Sequence, residues 1–170
     1  MDKFKKINEE VYYTKDGITW VGNKEIKWLK QNAIQNVRKR ARICAHHDPD
    51  DALHEMIIAL TEDIYVVPHK HRHKTESFHI IEGVQKVILF DDDGEVVNYF
   101  VMGGDSPDRI SYLRIPSETY HTVLPLSPVV VFHETTNGPF LPQKTIYASW
   151  AVKEDDVSSI EATKKHWRNI

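Results

Sequence analysis

The sequence predicts an all-β barrel or sandwich with one early helix. From Ala41 onward, apolar runs of strand length recur at short intervals, separated by turn residues. Only residues 24–40 carry apolar side chains at helical spacing. His69 and His71 stand one residue apart in a strand-like stretch, where alternation sets both on one face. A chain of 170 residues is long enough to bury one real core.

Residues 1–24 open with two strand-like pieces, Glu10-Val11-Tyr12-Tyr13-Thr14 and Ile18-Thr19-Trp20-Val21, on either side of the turn signal Lys15-Asp16-Gly17. In the helix at 24–40, Ile26, Leu29, Ala33, Ile34 and Val37 are expected on one face. Arg38-Lys39-Arg40 follows at its end, where cations suit the helix dipole. Arg42-Ile43-Cys44-Ala45 reads as a short strand, His47 to Asp51 as a loop, and Glu55 to Leu60 as a longer strand. Ile64 to Pro68 leads into the histidine cluster. Phe78 to Ile81 and Val84 to Phe90 are bracketed by Gly83 and by the turn Asp91-Asp92-Asp93-Gly94. Glu95 to Met102, Ile110 to Ile115, His121 to Leu124 and Val129 to Glu134 complete the strands. Residues 137–149 read as irregular and 154–168 as a loose terminal helix. The expected organisation is a single domain: an N-terminal extension with one helix packed on the barrel (1–40), the barrel (41–152) and a tail (153–170).

A net charge of −3 argues against a general nucleic-acid binder. No apolar run approaches the ~20 residues that span a bilayer. Met1-Asp2-Lys3-Phe4-Lys5-Lys6 has no apolar stretch behind it, which argues against a secretory signal. Cys44 is the sole cysteine, so no internal disulfide forms, and a cytoplasmic protein is expected.

Histidine is the outlier: seven of the ten lie between His46 and His79. Glu76 follows His71 by five residues and can return on the next strand, and His121 can close the set from a distant strand. Three imidazoles and one carboxylate converging inside a barrel make a divalent-metal site. Iron, manganese, nickel, cobalt and zinc all suit that donor set, and the lack of thiolates argues against structural zinc. With Glu76, Phe78 and Ile80 facing in, His79 faces out. His46, His47, His54 and His73 are read as surface or supporting groups. Of His133 and Glu134, one lines the pocket, and the sequence leaves open which. The catalytic candidates are Glu118, Tyr120, His133 and Glu134. The pocket candidates are Arg42, Tyr65, Phe78, Tyr112, Arg114 and Trp150, with Arg42 and Arg114 suited to an anionic ligand.

His69, His71, Glu76 and Gly83 fit the run His-x-His-x4-Glu-x6-Gly, which resembles the first cupin motif. Pro116 and His121 match part of the second, Gly-x5-Pro-x-Gly-x2-His-x3-Asn. There Ile110 and Glu118 replace the glycines and Pro125 replaces the asparagine. Further text resembles the WbuC-type cupins across roughly residues 26–152: Arg40-Ala41-Arg42, His47-Asp48-Pro49-Asp50-Asp51, Tyr65-Val66-Val67-Pro68-His69-Lys70-His71, Leu89-Phe90-Asp91-Asp92-Asp93-Gly94, Tyr120-His121-Thr122-Val123 and Gly138-Pro139-Phe140. The resemblance implies a double-stranded β-helix (jelly-roll) barrel. It also implies one metal held by His69, His71, Glu76 and His121, and an association with bacterial surface-polysaccharide gene clusters. Three functions follow as expectations: a metal-dependent isomerase, epimerase or dioxygenase acting on a sugar or nucleotide-sugar; a non-enzymatic saccharide-binding cupin; and a barrel whose metal is only structural. A homodimer, with residues 1–24 supplying a swapped edge strand, is expected by analogy.

Overall fold

The computed structural model describes residues 2–104 and 106–170. In chain order its elements are β1 (Phe4–Lys6), β2 (Val11–Thr14), α1 (Asn23–Gln35), β3 (Arg40–Cys44), β4 (Leu53–Thr61), β5 (His69–His71), β6 (Glu76–Glu82), β7 (Val84–Phe90), β8 (Val96–Gly103), β9 (Tyr112–Ile115), β10 (Tyr120–Pro125), β11 (Val129–Asn137), a 3-10 turn (Pro142–Lys144), β12 (Thr145–Tyr147) and α2 (Val157–Asn169). They form a seven-stranded sheet, β1-β2-β3-β4-β11-β6-β9, and a five-stranded sheet, β12-β5-β10-β7-β8. All pairings are antiparallel except β2 with β3.

Alternation along each strand sorts the side chains into layers. Leu60, Phe78, Val130 and Phe132 of the larger sheet meet Val87, Met102 and Val123 of the smaller one. On the outer face of the larger sheet, Ala41, Ile43, Ala59 and Val131 pack under Leu29 and Ala33 of α1. On the outer face of the smaller sheet, Ile88, Phe90 and Leu124 pack under Trp167 of α2. The molecule is therefore layered helix, sheet, sheet, helix.

Gly83 makes the passage from β6 in one sheet to β7 in the other. Its φ is +82°, and a Cβ there would lie 2.7 Å from the Val129 carbonyl oxygen, so only glycine fits.

Several expectations change. Ile18 to Val21 belongs to no strand. Ile18 and Trp20 are exposed, and Phe4–Lys6 is what pairs with β2. These strands join the edge of the chain's own sheet through β3. Helix α1 ends at Gln35, because Asn36 turns to extended backbone and Lys39 adopts φ +58°. Val37, on the expected face, is consequently 94% exposed, and Ile34 lies about 100° round from Ala33 and faces solvent. Arg38 and Arg40 are off the helix end, paired with Glu10 at 3.0 and 2.6 Å. Ile64 to Pro68 forms no ladder, and the strand begins at His69. The supposedly irregular 137–149 contains the 3-10 turn and β12.

The terminal helix is docked rather than loose. Asp156 caps it by accepting from the Ser159 N–H at 3.1 Å. At its other end, the buried Lys86 Nζ donates to the carbonyls of Trp167 at 2.9 Å, Arg168 at 3.3 Å and Ile170 at 2.6 Å.

Candidate metal centre

Strand β5 places His69 and His71 on its inner side with Lys70 between them pointing out, and His121 sits opposite His69 on β10. All three imidazoles come from the smaller sheet. Glu76 opens β6 in the larger sheet and spans the gap, with Oε1 3.0 Å from His71 Nε2 and Oε2 3.1 Å from His121 Nε2. One ligand atom from each of the four residues lies within 4.8 Å of all the others.

The rings are held from behind. His69 Nδ1 donates to the Val67 carbonyl at 2.8 Å and His121 Nδ1 to the Thr119 carbonyl at 3.0 Å. A carbonyl only accepts, so Nδ1 carries the proton on both rings and Nε2 is turned inward as the donor atom. His71 Nδ1 is 3.1 Å from the Thr145 hydroxyl. Adjacent ligands at right angles on an ion with bonds of about 2.1 Å stand about 3 Å apart. The two contacts of Glu76 have that spacing, so the donor set fits a divalent metal in both chemistry and size.

Of the four groups His121 alone must first give up a proton to bind a metal, the one its Nε2 shares with Glu76. Burial, with the neighbouring His121, lowers His69 to about 4, leaving it neutral and ready to ligate. Burial opposes ionisation of Glu76, but hydrogen bonds from His121 and His71 outweigh it and hold the carboxyl well below the usual range. Burial likewise disfavours the His121 cation, yet its hydrogen bond to Glu76 raises it.

The cluster lines a cavity of about 820 Å³ between the sheets. The register of the larger sheet writes out its floor: His54, Thr136 and Glu76 in one row, then Cys44, Met56, Glu134 and Phe78, then Arg42, Ile58 and Phe132. Glu134 therefore faces the cavity. His133 pairs with Ile57 and His79 on the outer face and approaches Glu55 at 3.9 Å. Burial pushes the Glu134 carboxyl up to about 8, with the charge of Glu76 adding and Arg42 and Lys74 opposing.

Of the other expected residues, Arg42, Tyr65 and Phe78 line the cavity. Tyr112 and Arg114 do not. Arg114 pairs with Ser77 and Tyr112 with His79, both on the solvent side of β6, so both are exposed. Trp150 packs on Phe90 and Tyr120 outside the smaller sheet. Tyr120 lies there too, since it alternates with the inward His121. Glu118 is exposed in the turn before β10. His47, His73 and His79 are exposed, whereas His46 and His54 are buried on the cavity wall with rings stacked at 4.1 Å. The sequence reading missed Lys74 and Thr136. Lys74 shares parity with Glu76, which was the available signal, but it sits in what reads as a turn.

The fold is that of the cupins. Residues 21–102 match the model of a family described as a domain of unknown function, DUF6016. No curated protein matches the sequence. Among solved structures, the chain is similar to the capsular polysaccharide assembling protein CapF of Staphylococcus aureus, with 18% identity and a TM-score of 0.52 over 62% of this chain and 29% of that one. CapF with the inhibitor 3-isopropenyl-tropolone gives 20% identity and a TM-score of 0.54 over 66% and 33%. Protein SO0799 from Shewanella oneidensis gives 7% identity and a TM-score of 0.57 over 77% and 85%. The chain spans about a third of the length of the CapF chains it matches. Among the described residues, no helix is long and apolar enough to cross a membrane.

Proposed function

We propose that this is a WbuC-type cupin metalloprotein. In this reading it binds one divalent metal through His69, His71, Glu76 and His121 and processes a sugar or nucleotide-sugar in surface-polysaccharide synthesis. The observation that carries it is the convergence of those four donors at the wall of a cavity large enough for a small metabolite. The sequence resemblance supports the polysaccharide setting, as does the description of CapF as a capsular polysaccharide assembling protein.

When bound, the metal would act as a Lewis acid toward a ligand that offers two oxygens. The chain's own residues do the rest. Val67, Thr119 and Thr145 hold the imidazoles in position. Phe78 and Phe132 form an apolar floor that excludes water beside them. Glu134 faces the same space, where burial holds its carboxyl above the usual carboxylate range, and it is placed to exchange a proton with a bound ligand. A cytoplasmic homodimer whose barrel spans 41–152 completes the reading.

Plasma mass spectrometry tests it, on protein expressed with each candidate metal. Wild type should retain near one equivalent, His71→Ala almost none, and His79→Ala as much as wild type. A wild type that retains no metal under any supply would refute the proposal.

A further inference from the structure

Two aromatic side chains at the rim of the metal cavity are uncovered. Tyr147 is 65% exposed and Phe140 49% exposed, and both line the cavity. Of the large apolar side chains exposed among the described residues, these two alone do so. The others, such as Ile18, Trp20 and Val37, lie elsewhere on the surface, where single apolar groups are ordinary.

Both come from the segment that borders the candidate ligands. Strand β12 pairs with β5 so that Tyr147 stands opposite His69 and Thr145 opposite His71. Directly opposed residues share a sheet face, so Tyr147 lies on the side of His69, with the two ring centroids 6.1 Å apart. It stays in water because β12 is the edge of its sheet. Phe140 stands at the other end of the segment beside Lys74, whose Nζ lies over the ring, 5.5 Å from its centroid. The ammonium takes one ring face, and half of the side chain is still open to solvent.

The backbone carrying the two rings is pinned. The Phe140 N–H donates to the Pro49 carbonyl at 2.7 Å, and the Ala148 N–H donates to the Pro68 carbonyl at 2.9 Å. Between them the Thr145 hydroxyl meets His71 Nδ1 at 3.1 Å. The rings are thus held in place before any ligand arrives, which lowers the ordering cost of binding one. What covers them is not a flat hydrocarbon. Beside them stand three imidazoles and Glu76, and the cavity floor adds the Glu134 carboxyl. A pyranose meets both demands, with hydroxyls around its edge and a patch of axial C–H groups on one face.

We infer that Tyr147 and Phe140 form an aromatic rim that takes a sugar in its closed, pyranose form. The rim covers the C–H face of the ring, and the hydroxyls turn toward His69, His71, Glu76 and His121. This rests on the metal reading above and narrows it to cyclic sugars. An open-chain sugar has no such face and binds poorly.

Calorimetry and saturation-transfer NMR on the purified protein, with its metal content measured on the same samples, test the inference. The probes are methyl β-glucoside and methyl β-galactoside, with glucitol as the open-chain control. At least one glycoside should bind about tenfold or more tightly than glucitol. On wild type alone, saturation should be strongest at the axial protons of one ring face, a readout that needs no variant to fold. Tyr147→Ala and Phe140→Ala should each weaken the glycoside about tenfold while keeping wild-type metal content, and Tyr147→Phe should bind it as wild type does. Glucitol bound as tightly as the glycosides, no binding of either glycoside at tens of millimolar concentration, saturation spread evenly over both ring faces, or binding indifferent to either alanine substitution would overturn the inference. A metal-free wild type that still binds glycosides in this way would overturn only the metal reading.

Discussion

Glu118 stands where the second cupin motif carries a glycine, and the backbone there keeps the left-handed conformation, with φ +63°. Its N–H still donates to the His71 carbonyl at 3.0 Å, so the turn ties β10 to the strand bearing two of the four candidate ligands. An L side chain in that region costs about 1 kcal/mol or more. Glu118→Gly should therefore raise stability by roughly 0.5–1 kcal/mol, read as a higher urea midpoint at unchanged slope. A lowered midpoint would mean that the exposed carboxylate contributes more than the strain removes. At this scale the candidate ligands were legible as a cluster because His-x-His and a glutamate five residues on are local spacings that alternation converts directly into a shared face. Glu134, Tyr112 and Arg114 were not, because their faces depend on pairings of β11 and β9 with β6, partners more than thirty residues away.

Among the elements, α2 shows how a polar segment becomes part of the core. Its sequence is charged, and only Ile160, Lys164 and Trp167 are buried. What fixes it is Lys86, which is on the outer face of β7 beneath the helix and donates to three terminal carbonyls. These carbonyls have no intrahelical partner, and a cation at a helix C-terminus is favourable. Replacing the ammonium in Lys86→Met should cost about 2 kcal/mol. Amide exchange should accelerate across Val157–Asn169 and much less across β4 and β11. Uniform loss of protection would instead mean that α2 is integral to the barrel's cooperativity. The sequence reading found this helix but left it loose, because the anchor lies some eighty residues away. Helix α1 erred the other way: its hydrophobic spacing runs on to Val37, while the local backbone turns at Asn36 to enter β3.

At the scale of the whole molecule, most of the strands between β3 and β11 were readable from turn residues and apolar runs, while β1, β12 and the order of strands within the sheets were not. The closing of two sheets around one cavity rests on a motif whose glycine permits the crossing at Gly83. Because the candidate ligands come from both sheets, metal binding should stabilise the barrel as a whole. At free metal about a thousandfold above Kd, the gain is about 4 kcal/mol. Removing metal with a chelator should lower the melting temperature of wild type and leave His71→Ala unchanged. Equal shifts in both proteins would assign the effect to the chelator itself.

Glu76 alone reaches across from the larger sheet, while the three imidazoles belong to the smaller one. The four donors can meet only while the sheets are closed. Any parting of the two sheets, even with each sheet intact, would therefore withdraw the glutamate and leave three imidazoles behind.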